Sequence, residues 1–125
     1  MSANNTGAIT WVDLTVPDAD KIKTFYAEVT GLKPEPVSMG DYNDYNMLSS
    51  EGKPVAGICN KRGVNENLPS QWMIYITVNN IEERCAKCKE LGGKVIVEPK
   101  TMGSYGKYCV IEDPAGAVCA LFEQA

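Results

Sequence analysis

The chemistry open to this chain is bounded first by an absence: none of its 125 residues is a histidine. That removes the commonest metal ligand and the usual general base at neutral pH. Among the side chains that remain, Asp13 stands two residues after Trp11, a spacing that puts carboxylate and indole on one face of a strand. A carboxylate there serves as a hydrogen-bond acceptor, or as a base if desolvation raises its pKa. It serves equally as a solvated surface charge paired with a lysine. Cys85-Ala86-Lys87-Cys88 matches the CxxC spacing of redox and metal sites. A zinc site needs about four ligands, and no second pair has fitting spacing. Both sulfurs share a helical stripe with Ile81 and Leu91, so they are read as small packing hydrophobes. Cys59, Cys109 and Cys119 fall in strands and are assigned to the core. Gly103-Ser104-Tyr105-Gly106 fits neither phosphate-loop pattern and is read as a turn.

These groups sit in an ordinary globular background. Apolar residues make up 44% and charged residues 22% of the chain, enough for one compact domain that buries about two-thirds of its unfolded surface. A net charge of −4, with the cations scattered among acids, gives no basic stripe for nucleic acid and no patch for an anionic membrane. No apolar run approaches the roughly 20 residues of a membrane helix. The start, MSANNTGAIT, lacks the regions of a signal peptide, so a cytoplasmic location is expected. Five cysteines without a secretory signal point to reduced thiols.

The elements that must position the candidates are legible from periodicity. Residues 9 to 16 alternate: Thr10, Val12, Leu14 and Val16 face a helix, while Ile9, Trp11, Asp13 and Thr15 face away from it. Asp18 caps a helix whose stripe is Ile22, Phe25, Tyr26 and Val29, and Gly31 closes it in the left-handed region. Pro34 and Pro36 suit an edge strand running to Met39. Strands follow at 42 to 48 and at Pro54 to Asn60. Residues 61 to 70 are a polar linker.

The series then restarts. Trp72, Ile74, Ile76 and Val78 alternate against Met73, Tyr75 and Thr77. Asn80 with Glu83 resembles a capping box. Ile81, Cys85, Cys88 and Leu91 form the second helical stripe, and Gly92-Gly93 ends it. Strands are expected at Lys94 to Glu98, Lys107 to Glu112 and Ala117 to Glu123, with a loop at 102 to 106 and a DPAG turn at 113 to 116. The result is an α+β chain of two βαβββ modules, residues 8–60 and 71–124, within a single domain spanning 1–125.

The runs WVDLTVPD, FYAEVTGL, WMIYITVNNIEE, ELGGKV and YGKYCVIEDPAGAVCALFE together resemble the vicinal oxygen chelate superfamily. That group holds glyoxalase I, the bleomycin-resistance proteins and the extradiol dioxygenases. The first-strand tryptophan and the Ala-Gly after Val55 resemble its small glyoxalase-like subgroup. The resemblance implies curled mixed sheets around a cleft shared by the modules, and a homodimer. It also implies metal ligands on the first and last strands of each module in the metal-dependent members. Carried onto this chain, those positions are Trp11, Met73 and Ala120, with a fourth at or near Ala56. Neither an indole nor a methyl group binds a divalent ion, and a thioether prefers soft ions.

The expectation is therefore a small-molecule-binding protein with no metal and no cofactor. Trp11, Asp13, Met73, Tyr75, Thr77, Ala120 and Phe122 line its site for an apolar or planar ligand. The alternatives are a metal-dependent lyase, isomerase or dioxygenase using Asp13, Glu112 or Glu123, and a protein-interaction module with a filled cleft.

Overall fold

A computed structural model describes residues 6–125; residues 1–5, part of the polar start, lie outside them. The described residues form eight strands, two α-helices and a 3-10 turn at Gly63–Asn65, and they divide into two compact units. One is residues 11–72; the other is residues 73–125 together with residues 6–10.

In the first unit the order across the sheet is β2, β3, β4, β1, where β1 is Ile9–Val16, β2 Lys33–Ser38, β3 Asn43–Leu48 and β4 Pro54–Asn60. β1 runs parallel to β4 and the other pairs are antiparallel. Helix α1, Ala19–Thr30, starts where Asp18 accepts from the Lys21 amide and ends at Gly31, φ 82°. Leu14, Val16, Tyr45, Met47, Ala56 and Ile58 pack beneath it with Ile22 and Tyr26. The tyrosine of β3 fastens the helix further: Tyr45 Oη donates to Asp20 Oδ1 at 2.6 Å, a bond that holds the phenol above its ordinary pKa. Two residues of the expected helical stripe are not covered. Phe25 and Val29 are 53% and 64% exposed, because the sheet contacts only the Ile22 and Tyr26 side of the helix. Tyr26 instead meets Trp72 edge-on at 5.1 Å and accepts its indole N–H.

The second unit repeats the plan with β5, Trp72–Thr77, then β8, Val118–Gln124, then β7, Gly106–Glu112, then β6, Lys94–Met102. β5 is parallel to β8 and the rest antiparallel. Helix α2, Ile81–Glu90, packs Ile81 and Cys85 on Cys109 and Leu121, with Ile76, Val78, Val95 and Ile111 around them. Gly7 and Ala8 exchange backbone bonds with Thr77, so these two residues lie alongside the end of β5. Three expectations change here. Leu91 is 67% exposed, since the helix stops one residue before it and the turn carries its side chain off the stripe. The capping box is absent: Asn80 adopts φ 51° and makes no side-chain cap bond, whereas a box needs an extended N-cap residue. β6 continues through Pro99 to Met102, four residues past Glu98. It does so because it is the outermost strand and is bulged around Val97, where a missing N–H costs no ladder bond.

A device common to both units stands in for the missing cap of α2 and adds to the Asp18 cap of α1. In each, a polar side chain near the end of the fourth strand receives the first helical amide. Asn60 Oδ1 accepts from Ala19 N at 3.3 Å, and Glu123 Oε1 accepts from Ile81 N at 2.8 Å. Asn60 also donates through Nδ2 to the Asn43 carbonyl at 2.7 Å and to Asp44 Oδ1 at 3.0 Å. Its amide nitrogen makes a further bond to Asp44 Oδ1. Asn60→Asp keeps the acceptor for α1 but sets two carboxylates face to face. We expect a loss of about 2 kcal/mol at pH 7. Mutual repulsion raises the folded pKa of that pair above the unfolded value. The loss therefore shrinks as pH falls through the raised pKa, and urea unfolding at pH 7 and at pH 4 measures it. An equal loss at both pH values would show that repulsion is not the cause.

Candidate functional site

Each unit has one sheet face under its helix and one that the helix leaves bare. In the first unit the bare face carries Trp11, Asp13 and Thr15, since Leu14 and Val16 take the α1 side. Trp11 Nε1 donates to Asp13 Oδ1 at 2.6 Å. The bond fixes the ring plane of a half-buried indole and commits one carboxylate oxygen to it.

The residue that makes this pairing possible is Gly57, which stands opposite Asp13 in the β1–β4 register. A Cβ at position 57 would lie 2.2 Å from Asp13 Oδ1 and 3.5 Å from Trp11 Nε1. The fourth position, expected at or near Ala56, thus has Gly57 and not Ala56 on the face of Asp13. Ala56 pairs with Met47 and lies in the core under α1. The Ala-Gly pair after Val55 was the signal, but without the register it does not say which of the two faces Asp13. Cys59, opposite Thr15, completes this face. Burial pushes its thiol far up, and Asp13 and Asp44 add to the shift, so it rests as an unreactive S–H.

In the second unit the face away from α2 carries Met73, Tyr75 and Thr77 on β5, Ala120 and Phe122 on β8, and Tyr108 and Val110 on β7, all buried except the half-buried Phe122. The registers Tyr75 to Ala120, Thr77 to Phe122, Tyr108 to Phe122 and Val110 to Ala120 set these side by side. The structure thus brings together the five residues that the sequence places in this half. It adds Tyr108, whose ring lies 6.5 Å from that of Tyr75. Tyr108 was visible only as part of the YGKYCV run; its neighbour across the sheet is set by register. Thr77 shares a 3.0 Å hydrogen bond with the hydroxyl of Thr10. At the end of this face a cavity of about 150 Å³ is lined by Thr77, Val78, Asn79, Asn80, Glu123 and Gln124. It is smaller than the roughly 300 Å³ of the smallest ordinary ligand pockets.

The positions at which the sequence led us to expect metal ligands hold the Trp11 indole, bonded to a carboxylate, the Met73 thioether and the Ala120 methyl group, with Ala56 at or near the fourth. Of the alternative donors, Asp13 accepts from Trp11 and Glu123 accepts from the first amide of α2, while Glu112 stands opposite Val118 at the end of β7. Among the described residues no group of three or more His, Cys, Asp or Glu side chains is placed to hold an ion.

The family model of the Glyoxalase/Bleomycin resistance protein/Dioxygenase superfamily matches residues 8–121, and the chain belongs to that superfamily. Among its relatives is CFP32 of Mycobacterium tuberculosis, which bears a glyoxylase name. It is 30% identical over 122 residues, which cover 98% of this chain and 46% of CFP32. The anthracycline biosynthesis protein DauV of Streptomyces sp. strain C5 is 27% identical, with 94% of this chain and 47% of DauV matched. The chain spans about half the length of both.

Solved structures share the fold. The Mn(II)-bound glyoxalase of Novosphingobium aromaticivorans superposes with a TM-score of 0.60 at 21% identity, over 95% of this chain and 39% of that one. Methylmalonyl-CoA epimerase of Mycobacterium tuberculosis superposes at 0.58 and 15% identity, over 95% and 88%. No helix among the described residues is long and apolar enough to cross a membrane.

Proposed function

We propose that this chain binds a small planar or apolar molecule on the sheet faces its helices leave bare, using no divalent metal. The observation that carries the reading is the bond from Trp11 to Asp13, which holds an indole at a set angle over Gly57. A ring fixed in this way is a stacking platform that loses little side-chain entropy when a flat ligand settles on it. In the second unit Phe122 is partly exposed on the corresponding face, beside the buried rings of Tyr75 and Tyr108. Few polar groups accompany them, as in most small-molecule sites. The relationship to DauV, named for anthracycline biosynthesis, favours planar aromatic compounds as the first to try.

Thermal-shift screening of such compounds, followed by titration of hits, tests the reading. Trp11→Ala is expected to weaken a true ligand by about tenfold, or ~1.4 kcal/mol. Hits that bind parent and variant equally would place the ligand elsewhere.

A further inference from the structure

Four of the five thiols gather in the second unit: Cys85 and Cys88 on α2, Cys109 on β7 and Cys119 on β8. The sequence pairs Cys85 with Cys88 by spacing. The fold pairs it with Cys109 instead, because α2 lies on the sheet face that carries Cys109 and Leu121. The sulfur atoms of Cys85 and Cys109, both buried, are 3.1 Å apart, about 1 Å beyond a disulfide bond. Cys88 faces a different partner, the Lys94 carbonyl at 3.6 Å, with Gly93 leaving room for its sulfur. A metal centre is not what this arrangement supports, since no set of three donors among the described residues can hold an ion.

We propose that Cys85 and Cys109 form a reversible redox pair, which a hydroperoxide converts into a disulfide fastening α2 to β7. In the first step the sulfur of one thiol attacks the terminal oxygen of the hydroperoxide and the O–O bond breaks. That sulfur becomes a sulfenic acid, and its proton leaves with the departing alkoxide as an alcohol. In the second step the sulfur of the other thiol displaces the sulfenic hydroxyl. The S–S bond forms, the S–O bond breaks, and the remaining thiol proton leaves with the oxygen as water. The two electrons given up by the sulfurs are those that reduce the peroxide. A dithiol reductant restores the pair by two exchanges.

Burial, together with the bond to Cys85, holds the Cys109 thiol well above its ordinary range. The first step is therefore slow, and the pair rests reduced under mild conditions. The second step has its partner already in contact, so closure outruns further oxidation of the sulfenic sulfur. Tyr108, next to Cys109 on β7, stands on the bare face of the sheet, so the disulfide would brace the strand that carries it.

The test uses the full reduced chain and hydrogen peroxide, followed by alkylation in denaturant and tryptic mapping. Cleavage after Arg84, Lys87 and Lys107 puts Cys85 in peptide 85–87, apart from Cys88, and puts Cys109 with Cys119 in peptide 108–125. We expect each chain to lose two hydrogens, with peptide 85–87 joined to Cys109 by fragmentation, and dithiothreitol to reverse it. Cys85→Ser and Cys109→Ser should each abolish that link, while Cys88→Ser should retain it. A link through Cys88 or Cys119, a link between chains, or sulfinic acid at Cys85 or Cys109 without a cross-link would overturn the proposal. Because the mapping is made on the parent chain, the outcome does not depend on any variant folding.

Discussion

Gly106→Ala is expected to lower the stability of this protein by about 3 kcal/mol, and so to lower its melting midpoint by roughly 10–15 °C. Gly106 opens β7 with φ 148° and pairs with Gln124 across the sheet. A Cβ there would lie 2.0 Å from the Glu123 carbonyl oxygen and 2.9 Å from the Ala125 amide nitrogen. Both are backbone atoms, so no side-chain rotation relieves the overlap, and the end of β8 must move. That end is tied twice to its surroundings. The Ala125 amide donates to the Tyr105 carbonyl, and Glu123 holds the first amide of α2. Displacing it frees the start of the helix as well as the last ladder bonds. Thermal and urea unfolding followed by far-ultraviolet circular dichroism measure the loss. A midpoint within a few degrees of the parent would mean that the β7–β8 pairing ends before Gly106.

Gly57→Ala is expected to act on the site. The added methyl group would occupy the place of Asp13 Oδ1, 2.2 Å from the ideal Cβ. The obstacle is the end of a side chain, so Asp13 can rotate away, and the cost to stability is only about 1–2 kcal/mol. Rotation breaks the 2.6 Å bond that orients the indole. With Trp72→Phe as background, leaving Trp11 as the sole tryptophan, its emission should shift and its quenching by added iodide should rise. Affinity for any ligand that stacks on Trp11 should fall about tenfold, as with Trp11→Ala. Unchanged emission in the variant would show that Trp11 is held by its packing and not by Asp13. Full ligand affinity alongside changed emission would detach the binding proposal from this half of the sheet.

Much of this was legible in the chain because strand and helix periodicities act over a few residues. Alternation along residues 9–16 and 72–78 assigned Leu14 and Val16 to the helix side, and Trp11, Asp13, Met73, Tyr75 and Thr77 to the bare side. The packing agrees in both units. Asp18 and Gly31 announced both ends of α1 because a capping oxygen and a left-handed glycine serve their own neighbours. The same logic misled at Asn80, where the helix takes its cap from Glu123, 42 residues beyond its first residue, Ile81. It also overfilled both helical stripes, since periodicity shows what could be buried but not how far the neighbouring sheet reaches.

What the sequence determined by itself was therefore the order of elements, the βαβββ pattern of each half and the two sides of β1 and β5. The choice of Gly57 over Ala56 and of Cys109 over Cys88 came only with the tertiary structure. So did the place of Tyr108 beside Tyr75 and the caps from Asn60 and Glu123. Each of these is a contact between residues distant in the chain. Cross-strand register and helix docking decide them, and a one-residue slip in register turns every side chain to the opposite face.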